Sequence, residues 1–334
     1  MTSIAPGKII LSGEHAVVYG KPALVMAVNR HARATFSPQY SKLISFDLHD
    51  FQLSSSFTLR ALRELKDRLL KNYHSFLSGE LSIKSVLSKP FDLFHFLIIT
   101  MIDGLQLTLE RGIRIHLESN IPIGCGMGSS AATILSVLRG IAEFFSLDFQ
   151  PDKFYNFGLQ AESLQHGRPS GVDPYISLHG GFVRFQNKNA VRREMPRIPI
   201  YLANTGLPKA TTGECVSHVA AHYSDSTIWE DFQAVTEEME KALATENLAE
   251  VQRLIRENNK LLIGIGVVPE KVQMFIEEIE KWGGAAKISG AGSIKGHNGG
   301  IVLMCAVKPP VELCQKYSYP LIPVQGEPLG ARII

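Results

Sequence analysis

The 334-residue chain is 45% hydrophobic and 20% charged, a balance that can bury a sizeable core in two domains and leaves no case for disorder. Its net charge of +2 comes from 34 basic and 32 acidic residues interspersed without a long block, which argues against a nucleic-acid surface and for a small-molecule partner. No basic-then-apolar leader opens the sequence and no run of about 18 apolar residues occurs, so neither export nor a membrane span is expected. Cys125, Cys215, Cys305 and Cys314 lack paired or zinc-ligand spacing, so the expected setting is cytoplasmic and reduced.

Residues 4–11 read as a short strand interrupted by Pro6-Gly7, and residues 12–20 as a turn-rich segment. Lys8, Glu14 and His15 fall within an otherwise apolar stretch. Charged side chains rarely enter a core unless they are paired or functional, although a lysine at a strand start is also a common solvated end. Two strands are expected next, over 22–28 and 32–36, with a loop at Asn29-Arg30-His31. Leu62, Leu65, Leu69, Tyr73 and Phe76 form one helical face over 57–77, a packed helix with a charged back. The 78–97 stretch, ending in the apolar run 91–97, reads as core rather than as an adenine pocket. Residues 112–119 alternate apolar and polar side chains, which predicts a strand with one wet face.

That strand leads into Pro122 and three alternating glycines, Gly124, Gly126 and Gly128, followed by Ser129-Ser130-Ala131-Ala132. Ile134, Leu135, Leu138, Ile141, Ala142 and Phe145 then mark an amphipathic helix. Glycines allow close approach, and a helix N-terminus offers unpaired N–H groups, so the stretch reads as a phosphate cradle; the plainer alternative is a turn that caps a buried helix. It is not a Walker A loop, since no Gly-Lys-Ser/Thr closes it. Cys125 lies beside this helix start, where a thiol can become reactive or can simply fill a tight loop. Farther on, a helix carrying Phe154, Phe157, Ala161 and Leu164 bears Glu162, and a turn over 166–174 bears Asp173. Two carboxylates placed so can converge on one cation or hydroxyl, or can be a surface carboxylate and a turn aspartate.

The glycine loop resembles the second motif of the GHMP kinases, the galacto-, homoserine, mevalonate and phosphomevalonate kinases. Ala-Pro-Gly-Lys-x-x-Leu-x-Gly-Glu-His-Ala-Val-Val, from Ala5 to Val18, resembles the first motif of the mevalonate kinases, and Glu-x-x-x-His-Gly-x-Pro-Ser-Gly-Val-Asp, from Glu162 to Asp173, resembles their next block. The resemblance implies an α+β, two-domain GHMP kinase fold. Its N-terminal ATP-binding half, 1–190, would be ribosomal S5 domain 2-like and its C-terminal half, 191–334, ferredoxin-like, with the site in the cleft between them.

It further implies that Gly124, Cys125, Gly126, Met127, Gly128, Ser129 and Ser130 hold the phosphates of ATP, with Ser119 at the nucleotide. Ser130 and Glu162 would hold Mg2+. Asp173 would take or orient the acceptor hydroxyl proton, and Lys8 would pair with Asp173 and reach toward the hydroxyl or the γ-phosphate. Glu14, His15 and Thr211 would face the acceptor, His15 as a donor to a carboxylate. The implied activity is ATP:mevalonate phosphotransfer in isoprenoid synthesis, with ATP and mevalonate as partners, no nucleic acid, no membrane, and a homodimer compatible with the pattern.

The second half is expected to open with a strand over 198–203 after a polar junction at 186–197. A polar loop to Thr212 and three helices with apolar stripes follow. Residues 287–292 resemble the start of the third GHMP motif, but Ser293 to Gly300 and the Thr212-Gly213-Glu214 segment depart from the family's pattern. Lys295 and His297 could meet an extra anionic group on the acceptor or simply decorate a solvated loop. These departures motivate a second reading as a phosphomevalonate kinase or another GHMP kinase. A catalytically silent sensor of the same fold is opposed by the presence of Lys8, Ser130, Glu162 and Asp173.

Overall fold

A computed structural model describes residues 1–89, 91–167 and 169–334, with the side chain of Phe51 also outside the description. Arg168, within the 166–174 turn, and Pro90, within the 78–97 stretch, therefore lie outside the described residues. In chain order the first part comprises β1 (Thr2–Ser12), β2 (Ala23–Gln39), β3 (Ile44–Leu48), β4 (Leu53–Phe57), α1 (Leu59–Leu77), α2 (Asp92–Gly104) and β5 (Gly112–Ser119). It continues with α3 (Ser129–Phe144), α4 (Pro151–His166), α5 (Val172–His179), β6 (Phe182–Gln186) and β7 (Asn189–Arg193). The rest comprises β8 (Ile200–Asn204), α6 (Thr212–Tyr223), α7 (Ile228–Ala244), α8 (Leu248–Gly264), α9 (Glu270–Lys281), β9 (Ala285–Ser289), β10 (Ile301–Cys305), α10 (Val311–Tyr317), β11 (Leu321–Pro323) and β12 (Arg332–Ile333).

Strands β1 to β7 form one sheet in the order β12-β1-β2-β5-β3-β4, with β6 beside β2 and β7 beside β6; β8 to β11 form a second, antiparallel sheet in the order β11-β8-β10-β9. The last strand, β12, returns to β1 of the first sheet. Apolar side chains line both faces of β1 and β2. One face packs with α1–α4 through residues such as Phe36, Phe96 and Leu138, and the other packs against the second sheet through Ile9, Leu24, Leu202 and Leu303. Two-sided burial accounts for the apolar runs of β1 and of β2 up to Val28, whereas the rest of β2 alternates buried and exposed residues. No helix among the described residues is long and apolar enough to cross a membrane.

Four expectations are revised. Asn29–His31 is not a loop that divides two strands: β2 is continuous, and the register jumps from Pro6↔His31 to Gly7↔Val28, so Asn29 and Arg30 form a bulge. Asn29 there exchanges hydrogen bonds with Gln325 of the C-terminal segment. The polar junction at 186–197 contains β7, which forms a hairpin with β6. The loop after β8 ends in a helix start, because Thr211 and Glu214 form a reciprocal capping box on α6. Asp173 lies in the first turn of α5 rather than on a loop, where a carboxylate complements the helix dipole.

Candidate active site

The three glycines of the 122–132 loop all have positive φ, and Gly128 caps α3 in the left-handed conformation. A Cβ at any of the three would also meet a neighbour, at Gly124 the Leu207 side chain at 2.6 Å. A Cβ on Gly126 would lie 2.6 Å from the carbonyl oxygen of Ser289, and one on Gly128 would press on the Lys8 stem at 3.1 Å, with Asp173 Oδ2 at 3.8 Å. The loop is thus clamped. On one side the Lys8 N–H donates to Met127 O at 2.9 Å, and on the other the Ile301 N–H donates to Cys125 O at 3.0 Å. Both strands that grip it belong to the packed sheets.

A cavity of about 550 Å³ opens over this loop. That is within the range of small-molecule sites. Gly124, Gly126, Gly128, Ser129 and Ser130 line it, together with Ser119, Glu162, Asp173 and Thr211. Cys125 and Met127, read as part of the phosphate-binding run, turn their side chains into the apolar core between the sheets. Burial pushes the Cys125 thiol up, away from reactivity.

Lys8 is buried on β1, and its Nζ donates to Gly126 O at 2.9 Å and lies 3.5 Å from Asp173 Oδ1. Close to this pair, Ser130 Oγ lies 2.6 Å from Glu162 Oε1 and 2.7 Å from Gln165 Oε1. Gln165 was missed in the sequence. Its spacing of three residues from Glu162 on one helix is the signal that could have found it. Glu162 is buried, and among the described residues its only ion-pair partner is His166, with Nε2 3.6 Å from Oε2. Burial pushes its carboxyl up, His166 pulls it back, and the nearby Asp173 charge adds to the rise. Among the described residues no three His, Cys, Asp or Glu side chains gather to hold a metal by themselves.

The acceptor-side residues divide. Thr211 lines the cavity while its hydroxyl caps α6, accepting the Glu214 N–H at 3.2 Å. Glu14 and His15 do not line the cavity. Glu14 is fully buried against Lys287 Nζ, which also donates to Ile10 O at 3.2 Å. Burial pushes the Glu14 carboxyl up and the Lys287 ammonium down, and each partner's charge opposes the other's shift. His15 is 3.1 Å through Nε2 from Ala291 O, and burial lowers its pKa to about 4. A neutral ring donating there to a carbonyl has only an acceptor left at Nδ1, which counters the expected donation to a carboxylate.

The far wall was read as core. Leu93 and Phe94 are indeed buried in it, yet they also line the cavity, together with Ile83 and Leu87. Helical periodicity reports burial and does not say which buried atoms also face a hollow. Lys295, considered for an acceptor anion, instead reaches Glu214 Oε1 at 3.1 Å.

Comparison with known proteins gives the family and the fold. Residues 97–181 match the GHMP kinases N terminal domain. The mevalonate kinase of Archaeoglobus fulgidus is 31% identical over 300 residues, covering 87% of this chain and 89% of that one. The fold superimposes on the crystal structure of Methanococcus jannaschii mevalonate kinase with a TM-score of 0.81 at 22% identity, covering 98% of both chains. It also superimposes on Streptococcus pneumoniae phosphomevalonate kinase, solved in complex with phosphomevalonate and AMPPNP, with a TM-score of 0.75 at 13% identity over 98% of this chain and all of that one. By identity and coverage together, this chain belongs to the GHMP kinases, in the mevalonate kinase family.

Proposed function

We infer that this protein is an ATP-dependent kinase that phosphorylates the hydroxyl of mevalonate. The observation that carries the reading is the meeting, beside one glycine loop, of the Lys8–Asp173 pair and the Ser130–Glu162–Gln165 oxygen cluster. Phosphoryl transfer asks the protein mainly to align two oxygens and offset charge on the transferred group. Backbone N–H groups of the 124–130 loop and the start of α3 hold the phosphates of ATP. Asp173 accepts or orients the proton of the acceptor hydroxyl. Lys8, anchored on Gly126 O, sets a positive charge between that carboxylate and the incoming phosphoryl group. Ser119 serves the nucleotide and Thr211 the acceptor.

The donor set suits Mg2+. Ser130 Oγ and Glu162 Oε1 lie 2.6 Å apart beside the cavity, and Glu162 is a buried carboxylate that burial pushes up while the His166 and Lys8 charges pull it back. Magnesium takes hard oxygens, typically one or two carboxylates completed by substrate phosphates. Ser130 and Glu162 would hold the ion, which when bound supplies charge neutralisation at the β- and γ-phosphate oxygens.

The same reading includes an ATP-binding unit over 1–190 and a second unit over 191–334. The change of sheet comes slightly later, between β7, which ends at Arg193, and β8, and β12 returns to the first sheet. The reading also includes a cytoplasmic setting, where ATP is supplied. An ADP-release assay with Mg2+, ATP and separately mevalonate, phosphomevalonate, homoserine and galactose tests it. Turnover of mevalonate is expected; turnover of phosphomevalonate alone would reverse the assignment, and silence on all four would favour a ligand sensor.

A further inference from the structure

Two helices bring three side-chain oxygens together at the edge of the cavity. Ser130 stands on the first turn of α3, and its Oγ lies 2.6 Å from Glu162 Oε1 and 2.7 Å from Gln165 Oε1, both carried by α4. Glu162 and Gln165 are three residues apart, so they share one face of that helix. All three side chains line the cavity. Their neighbours are otherwise engaged: Glu162 Oε2 is 3.6 Å from His166 Nε2, and the Thr133 hydroxyl, one turn beyond Ser129, donates to Ser129 O at 2.9 Å.

Gln165 differs from its companions. Its amide oxygen is the end turned toward Ser130, and among the described residues its side chain makes no other hydrogen bond. It is exposed where Glu162 is buried. Holding a long, exposed side chain in one place costs rotamer freedom that a single neutral hydrogen bond barely returns. Folding alone therefore gives little reason for the third oxygen. In the Glu-x-x-x-His-Gly motif, Gln165 falls on the last unspecified position, so the family pattern assigns it no role.

We propose that Gln165 is a further metal-binding residue: its side-chain carbonyl joins Ser130 and Glu162 as an oxygen donor to the Mg2+ that accompanies ATP. The proposal rests on the reading of Ser130 and Glu162 as that ion's ligands. Amide, hydroxyl and carboxylate oxygens are the hard donors that Mg2+ and Mn2+ take. Mg2+ ordinarily keeps several waters, so a third donor from the chain takes the place of one of them.

The test uses Mn2+ with a non-hydrolysable ATP analogue, so that no turnover intervenes. Electron paramagnetic resonance reads two quantities: metal affinity by titration, and the number of waters on the ion from line broadening in water enriched in the magnetic oxygen isotope. Gln165→Leu should weaken Mn2+ binding about fivefold and add one water to the ion, while Gln165→Glu, which keeps an oxygen there, should bind at least as tightly as the wild type. An unchanged water count in Gln165→Leu, or an affinity within about twofold of the wild type, would overturn the proposal. So would an equal loss in Gln165→Glu, which would assign the effect to the amide N–H instead. Glu162→Gln, measured alongside, separates this result from the reading beneath it. If that variant also binds Mn2+ as the wild type does, the Ser130–Glu162 site itself falls; if it loses affinity while Gln165→Leu does not, only Gln165 is removed.

Discussion

Glu14 and Glu162 are both buried glutamates in motifs of the same family, and the fold treats them in opposite ways. Glu14 is locked to Lys287 inside the protein, at a tight turn where the Ala16 N–H reaches back to Glu14 O at 2.6 Å and His15 is held at φ 59°, ψ −46°. That positive-φ turn is strained for a residue with a side chain, and the hydrogen bond from His15 to Ala291 helps to hold it. Glu162 sits beside a cavity with a serine hydroxyl and an amide oxygen at hydrogen-bond distance, the His166 ring as its ion-pair partner, and the charges of Lys8 and Asp173 nearby. The difference teaches that burial of a charge does not by itself mark a reactive site. What matters is what faces the charge: Glu14 meets a lysine, and that pair joins the first motif to the third, whereas Glu162 faces the cavity.

The contrast can be sharpened first at the cavity. Asp173→Asn should lower kcat by about a thousandfold with ATP affinity within a few fold, measured by ADP release and by calorimetry. Unchanged turnover would remove Asp173 from its role. Glu162→Gln should lower kcat/KM by about a hundredfold at fixed Mg2+ while the protein melts no earlier than the wild type, because a buried carboxylate has been neutralised.

At the other site the balance should invert. Lys287→Met leaves Glu14 buried and unpaired, and chemical denaturation should show a loss of about 3–5 kcal/mol, with Glu14→Gln/Lys287→Met recovering a good part of it. If Lys287→Met instead folded normally and lost activity as Glu162→Gln does, the distinction between the two glutamates would break.

The smallest effect is in pH. Burial holds His15 and His95 at about 4, below the unfolded value of 6.5. Below pH 6.5 the unfolded chain takes up protons that the folded chain refuses, so this stability is complete above pH 6.5 and is lost as pH falls toward 4. Each histidine contributes up to about 3 kcal/mol across that window. His95 packs against the rings of Phe46, Phe57 and Phe91, and its Nδ1 has no partner among the described residues. His95→Phe should therefore flatten the fall of Tm between pH 6.5 and 4; an unchanged slope would place the acid sensitivity elsewhere.

Local chemistry was legible in the sequence wherever a residue's role is set by its neighbours along the chain. The strand ending at Ser119, the glycine loop and helix α3 arrive in the predicted order because alternation, positive-φ glycines and helical spacing are local signals. Lys8 and Asp173 were paired only through family resemblance, and the fold does bring them within 3.5 Å. The partner of Glu14 was not legible. Lys287 lies far along the chain, and nothing in the first motif says whether a buried carboxylate will meet a lysine or a ligand. The capping box of α6 was legible as Thr-x-x-Glu but was read as a departure from a family pattern. The Asn29–Arg30 bulge escaped because polar residues inside a strand look like a turn until the partner strand is known.

The most direct test is to measure Mn2+ binding, as a spectroscopic stand-in for Mg2+, to the ATP-loaded wild type, Glu162→Gln and Glu14→Gln by electron paramagnetic resonance titration. The account predicts that metal affinity falls at least about tenfold in Glu162→Gln and stays within about threefold of wild type in Glu14→Gln. Equal losses in both, or no loss in Glu162→Gln, would contradict it.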